Sequence, residues 1–173
     1  MFLNLTEYFE NQGKEATLNI PYEADSFDDG FGPKPVVSKE DLKLSIVNMG
    51  GGKLRLVGSI KVVLRGECDR CLKSVDVPVF AEFEYSVVKP DGYHEPDDEG
   101  QDFMKGYELD TETLINNELI MSLPMKVLCK ETCKGLCPVC GKNRNVNECG
   151  CDTFIPDPRM AAISDIFNAN KEV

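Results

Sequence analysis

The sequence predicts an α+β protein: an antiparallel β-sheet core with one or two packed helices, then a small C-terminal module organised by cysteines. Three observations predict it. Apolar residues alternate at period two between residues 42 and 88, one capped helical segment lies near 111–123, and eight cysteines fall in four close pairs after residue 67.

The elements follow in chain order. Residues 1–35 mix a short amphipathic opening with Leu18-Asn19-Ile20-Pro21-Tyr22 and with Asp28-Asp29-Gly30-Phe31-Gly32-Pro33-Lys34-Pro35, a loop by composition. From Leu42 the alternation of Leu42, Leu44 and Ile46, a Gly50-Gly51-Gly52 break, then Leu54, Leu56, Ile60, Val62 and Leu64 predicts a β-hairpin. A further strand runs over Val75–Val87, with Pro78 confining its start to an edge or a bulge. The acidic, turn-rich stretch 89–110, which carries the lone His94, is expected to be a mobile surface loop. Asp110 or Thr111 caps a helix to about Leu123, ended by Pro124. Asp157 and Pro158 start a short C-terminal helix with Met160, Ile163, Ile166 and Phe167. The chain thus divides into a core domain at 1–124 and a cysteine-rich module with a C-terminal helix at 125–173.

Composition narrows the class. With 42% apolar and 28% charged residues the chain is an ordinary globular protein, and no run approaches the roughly 20 apolar residues of a membrane span. The opening residues lack the basic flank and apolar run of a signal peptide, so the expected location is cytoplasmic. Reducing cytosol disfavours disulfides, which leaves metal binding or redox chemistry as the reason for eight cysteines. The net charge of −11 opposes a nucleic-acid partner, but the charge is segregated. All eight cysteines lie in two basic segments: 53–75, with six basic against two acidic residues, and 119–151, with five against two.

Cys137-Pro138-Val139-Cys140-Gly141 followed by Cys149-Gly150-Cys151 supplies four thiolates within one short loop. A CxxC turn brings two sulfurs together, and Gly141 permits the left-handed backbone needed after the second. In an extended CxC, alternate side chains point the same way. Four thiolates suit tetrahedral zinc, whose closed shell is structural, and the ion rather than apolar burial would fold so short a tract. Cys68 and Cys71, with Cys129 and Cys133 spaced by one helical turn, form a second candidate site that would staple the tail to the sheet. Three pairings of the cysteine pairs are possible; sequence proximity favours this one. One or two zinc ions are expected.

Catalysis finds little material. Gly50-Gly51-Gly52-Lys53 has Val47 and Leu54 where a phosphate loop needs Gly and Ser or Thr, and one histidine offers no base for a nucleophile. The expectation is a protein without enzymatic activity or a small-molecule substrate.

Arg65-Gly66-Glu67-Cys68-Asp69-Arg70-Cys71-Leu72, then Leu123-Pro124, then Cys133-Lys134-Gly135-Leu136-Cys137-Pro138-Val139-Cys140-Gly141-Lys142-Asn143, then Cys149-Gly150-Cys151 and Asp157-Pro158-Arg159, together resemble the YceD-like large ribosomal RNA subunit accumulation proteins. Arg144-Asn145 departs from the Leu-Asn common in that family. The resemblance implies a role in large-subunit ribosomal RNA accumulation and ribosome assembly, with ribosomal RNA or a pre-large-subunit particle as partner, directly or through a ribosomal protein. Joined to the charge pattern, it makes Arg65, Arg70, Lys73, Lys130, Lys134, Lys142 and Arg144 the expected RNA or partner contacts. The competing readings are a redox-regulated zinc chaperone or sensor and a zinc-stabilised interaction adaptor.

Overall fold

The computed structural model describes residues 1–90 and 102–152 of the chain. Its architecture is α+β, with antiparallel pairing throughout. Alternation around the glycine break makes the hairpin of β5 (Leu42–Gly50) and β6 (Lys53–Glu67), with Leu44 opposite Gly58 and Ile46 opposite Leu56. β7 (Ser74–Val88) then pairs β6 along its whole length, from Lys53↔Val88 to Glu67↔Ser74. Two 15-residue strands therefore meet at one tip, residues 68–73.

The first forty residues supply further strands, and of the stretch 28–35 expected as a loop only 29–32 turn, because Asp28 and Pro33–Pro35 lie in strands that pair Asp28 with Pro33. β2 (Glu15–Ile20) flanks β5, β4 (Pro33–Lys39) takes over the edge of β6 beyond the end of β5, and β3 (Ser26–Asp28) pairs β4. β7 pairs only β6 among the described strands, and this edge position tolerates Pro78, which has no N–H to donate. A second, three-stranded sheet joins β1 (Phe2–Asn4), β9 (Glu108–Asp110) and β8 (Met104–Lys105) in that order.

Two helices complete the fold: α1 (Thr6–Glu10) and α2 (Thr111–Ser122). Asp110 caps α2 by accepting the Thr113 N–H at 3.4 Å, and the helix stops just before Pro124. Leu114, Ile115 and Leu119 of α2 join Leu44, Ile46, Leu54, Leu56 and Val62 in one buried cluster. Each such side chain contributes about 1.5–3 kcal/mol on burial. Asn48, nearly buried, donates through Nδ2 to the Tyr8 carbonyl at 2.6 Å and accepts the Gly50 N–H at 2.8 Å, which ties α1 to the hairpin.

Three further expectations change. Of the acidic stretch at 89–110, residues 91–101 lie outside the described residues, but 102–110 are not a loose loop. They form the β8–β9 hairpin, because Phe103 and Leu109 reach the core with 1% and 0% exposure despite their acidic neighbours. Cys129–Cys133 is a turn closed by Cys133 N–H donating to the Lys130 carbonyl at 3.0 Å, not a helix. The C-terminal helix expected after Asp157 lies outside the described residues. No described helix is long and apolar enough to cross a membrane.

Candidate metal centres

The hairpin tip is a cysteine knuckle. Cys68 accepts the Leu72 N–H on its carbonyl at 2.9 Å, and Leu72 takes φ of +57°. Cys137–Gly141 repeats this geometry: the Gly141 N–H donates to the Cys137 carbonyl at 2.8 Å, with φ of +70°. A leucine holds the left-handed position that glycine holds in the second knuckle, at a cost of about 1–2 kcal/mol.

The tail lies on the tip through Asp69 and Arg70, the two residues between the first pair of cysteines. Asp69 donates its N–H to the Val127 carbonyl at 2.9 Å, and its Oδ2 accepts the Val127 N–H at 2.7 Å. The Arg70 carbonyl accepts the Leu136 N–H at 2.9 Å, and Arg70 Nη1 donates to the Cys133 carbonyl at 2.7 Å. The backbone approaches so closely that a Cβ on Gly135 would sit 2.9 Å from the Arg70 oxygen.

These contacts gather Cys68, Cys71, Cys129 and Cys133 into one group and leave Cys137, Cys140, Cys149 and Cys151 in another, with the sulfurs of each group within 4.8 Å of one another. Of the three pairings, the structure forms the one that sequence proximity favours. Tetrahedral ligation at about 2.3 Å per thiolate sets sulfur–sulfur edges of about 3.8 Å. In the inner group Cys68 and Cys133 stand 3.9 Å apart, and Cys71 and Cys129 3.6 Å, far beyond the roughly 2.05 Å of a disulfide. Both donor sets therefore fit one tetrahedral soft ion.

The two groups differ in setting. Cys68, Cys71 and Cys133 are buried and Cys129 half-buried. In the outer group only Cys137 is buried; Cys140 is exposed, and Cys149 and Cys151 are half-buried. The outer CxC is not extended: Gly150 takes φ of +63°, so a turn brings Cys149 and Cys151 together. A small ribbon supports this group. Leu136 pairs with Asn143, the Cys137 N–H donates to the Lys142 carbonyl at 2.8 Å, and the Arg144 N–H donates to the Gly135 carbonyl at 2.9 Å.

The thiols polarise one another. Burial opposes ionisation of Cys68, yet N–H donation from Cys129, Arg70 and Cys71 outweighs it and brings Cys68 down to about 6. Backbone N–H groups of Cys140 and Val139 bring Cys137 to about 6 as well. Burial and the neighbouring Cys133 push Cys129 up to about 12, and Cys140 and Cys149 do the same to Cys151. In the inner group Cys68 and Cys133 are thus drawn down, the latter despite burial and helped by the Asn145 side chain, while Cys129 is pushed up; a divalent cation would favour the thiolate at every sulfur it binds.

The seven expected contact cations divide into two sets. Arg65 pairs with Asp76 across the β6–β7 register at 2.5 Å, Lys134 pairs with Glu148 at 2.9 Å, and Arg70 is spent on the tail backbone. Lys73, Lys130, Lys142 and Arg144 are exposed and make no ion pair within the described residues. Lys126, exposed and equally unpaired, belongs with them; its place in a basic segment was the signal for it. Beside the staple, a groove of about 500 Å³ runs between Phe31, Leu64, Ile120, Leu123, Met125 and Val127, with Asp29, Lys34, Glu67 and Asp69 as its charged lining.

An antiparallel sheet whose longest hairpin holds a zinc-ribbon-like tail through cysteine knuckles defines the class. The chain belongs to the family described as Large ribosomal RNA subunit accumulation protein YceD, whose model matches residues 56–167, more than half of the chain. The Large ribosomal RNA subunit accumulation protein YCED homolog 1, chloroplastic, of Arabidopsis thaliana is 28% identical over 127 residues, covering 57% of this chain and 40% of that protein. An uncharacterized protein of Mycobacterium tuberculosis (strain ATCC 25618 / H37Rv) is 31% identical over 105 residues, covering 58% of this chain and 49% of that protein. The chain spans half or less of the length of these curated relatives, and no solved structure matches it. The matched region includes all eight cysteines.

Proposed function

We infer that this chain is a cytoplasmic, non-enzymatic zinc protein that supports accumulation of large-subunit ribosomal RNA by attaching to the pre-large-subunit particle through the basic rim of its cysteine-rich tail. The observation that carries the reading is the gathering of eight thiols into two groups of four, each within 4.8 Å. All-thiolate tetrahedral sets favour zinc, and with four protein ligands no coordination position is left for water or substrate. Bound there, the ion supplies cross-linking and charge rather than a reactive centre. Lys73, Lys126, Lys130, Lys142 and Arg144 supply the cations for phosphate.

Elemental analysis of the reduced, purified chain tests the metal, with two zinc ions per chain expected. A strain depleted of the protein and complemented with Cys68→Ser/Cys71→Ser tests the function, with a fall in large-subunit ribosomal RNA expected. A metal-free protein that is equally well folded over residues 125–152, or full complementation by that variant, would overturn the reading. A redox-sensing role draws its support from the exposed Cys140 of the outer group. Zinc release on mild peroxide treatment, together with new client binding, would favour it.

A further inference from the structure

The loop that closes the outer cysteine group also touches the inner one. Asn145 lies between Cys140 and Cys149, and its Nδ2 donates to the sulfur of Cys133, an inner ligand, at 3.2 Å. The same side chain accepts the Lys134 N–H on Oδ1 at 2.9 Å, and Asn143 Oδ1 orients it by accepting both the Asn145 N–H and Nδ2, each at 2.9 Å. Asn145 is thus the donor that the outer loop extends to the inner sulfurs, next to the residue that begins the run into the second knuckle.

We propose that the two cysteine groups bind metal cooperatively and that Asn145 carries the coupling. The inference rests on the reading that both groups hold metal, and goes beyond it. An N–H aimed at a ligating thiolate fixes its orientation and tempers its charge, and loss of such an outer partner costs 10–100-fold in metal affinity. Asn145 holds that position while the loop from Gly141 to Glu148 is ordered; the loop has no buried apolar residue of its own, so the backbone hydrogen bonds of the small ribbon and the outer metal would order it between them. Filling the outer group therefore strengthens the inner one, and by linkage the inner strengthens the outer by the same factor. Exposure gives the coupling a direction of use. A chelator or oxidant meets Cys140 first, and the buried staple between sheet and tail loosens in response.

The full chain loaded with cadmium-113 tests this. Each group gives its own cadmium resonance, the inner one assigned as that retained in Cys149→Ser/Cys151→Ser, and competition with a chelator reads each site separately. Asn145→Ala is expected to weaken the inner site about 10–100-fold and to shift its cadmium resonance. Emptying the outer site with Cys149→Ser/Cys151→Ser is expected to weaken the inner site by a similar factor in the native background and by much less with Asn145→Ala present. Asn145→Asp keeps the acceptor for Lys134 N–H but removes the donor to sulfur, so it should behave as Asn145→Ala does. Recovery of native retention in Asn145→Asp would show that the backbone contact, not the sulfur contact, matters, and would overturn the proposal. So would an inner site indifferent to both Asn145→Ala and the outer-cysteine variant, given a wild-type chain that binds two cadmium ions. Failure of the wild-type chain to bind any cadmium would overturn the metal reading itself, a distinct result.

Discussion

Replacing Lys130, Lys142 and Arg144 together by glutamine tests direct RNA contact, because these side chains flank the knuckles without internal ion pairs. With Lys73 and Lys126 they give five phosphate contacts, each adding about 0.7–0.9 to the slope of log affinity against log salt, a total slope near −4. Raising salt from about 50 to 200 mM should then weaken wild-type binding to a large-subunit ribosomal RNA fragment about 130–500-fold, and the triple variant only about tenfold. The assay is fluorescence anisotropy across a salt series. Arg65→Gln is the control, since the Arg65 guanidinium is already committed to Asp76, and its slope should stay within one contact of wild type. An unchanged slope in the triple variant, or an equal drop from Arg65→Gln, would refute direct contact through this rim and leave a protein-mediated route onto the particle.

Three further outcomes are expected. Arg70→Met should destabilise the tail by about 1–3 kcal/mol, because it strands the Cys133 carbonyl, and Arg70→Lys should recover only part of this; hydrogen exchange over residues 127–137 reads both. Tyr85 donates to Glu118 at 2.5 Å, and burial followed by that carboxylate pushes its hydroxyl up to about 12. The folded state then binds the proton more tightly than the unfolded chain, so this stabilisation is complete below pH 10 and is lost as pH rises toward 12; an ultraviolet tyrosinate titration should lose its late phase in Tyr85→Phe. Chelation under reducing conditions should strip exchange protection from residues 127–151 while strands 42–88 stay protected, and should weaken RNA binding.

The sheet was legible where burial is one-sided. Leu42–Leu64 and Val75–Val87 alternate because one face meets α2 and the other faces water, and that contrast is written in the sequence. The β8–β9 hairpin was not legible, because its two strands are only two and three residues long and its buried apolar side chains, Phe103 and Leu109, stand among Asp102, Glu108 and Asp110 without a strand's alternation. CxxxC spacing suits a helical turn, but converging on an ion needs only a tight turn, and the contacts of Asp69 and Arg70 with the tail decide which forms. The grouping of the cysteines was within reach of spacing. The sorting of cations into spent and free was not, since it depends on register, which sets Arg65 against Asp76, and on a fold that brings Lys134 to Glu148.

The sign of the chelation effect on RNA binding separates two accounts of the metal. Four thiolates around a divalent ion carry a net charge of about −2. Without the ion, the thiols of a released tail return toward the ordinary thiol range and mostly hold their protons at neutral pH, so the released tail is less negative than the loaded one. If charge alone governed attachment to phosphate, removing the metal would leave affinity equal or raise it. Geometry argues the other way. Lys73 sits on the hairpin tip, Lys130 between the two inner tail cysteines, and Lys142 and Arg144 on the outer loop, so these cations belong to one rigid surface only while both cysteine groups are closed. Releasing either group makes RNA bear the entropy of reassembling that surface, and affinity falls although the repulsive charge has diminished. On the proposed reading the metal would therefore act on RNA recognition through order rather than charge, and a fall in affinity on chelation is the expected sign.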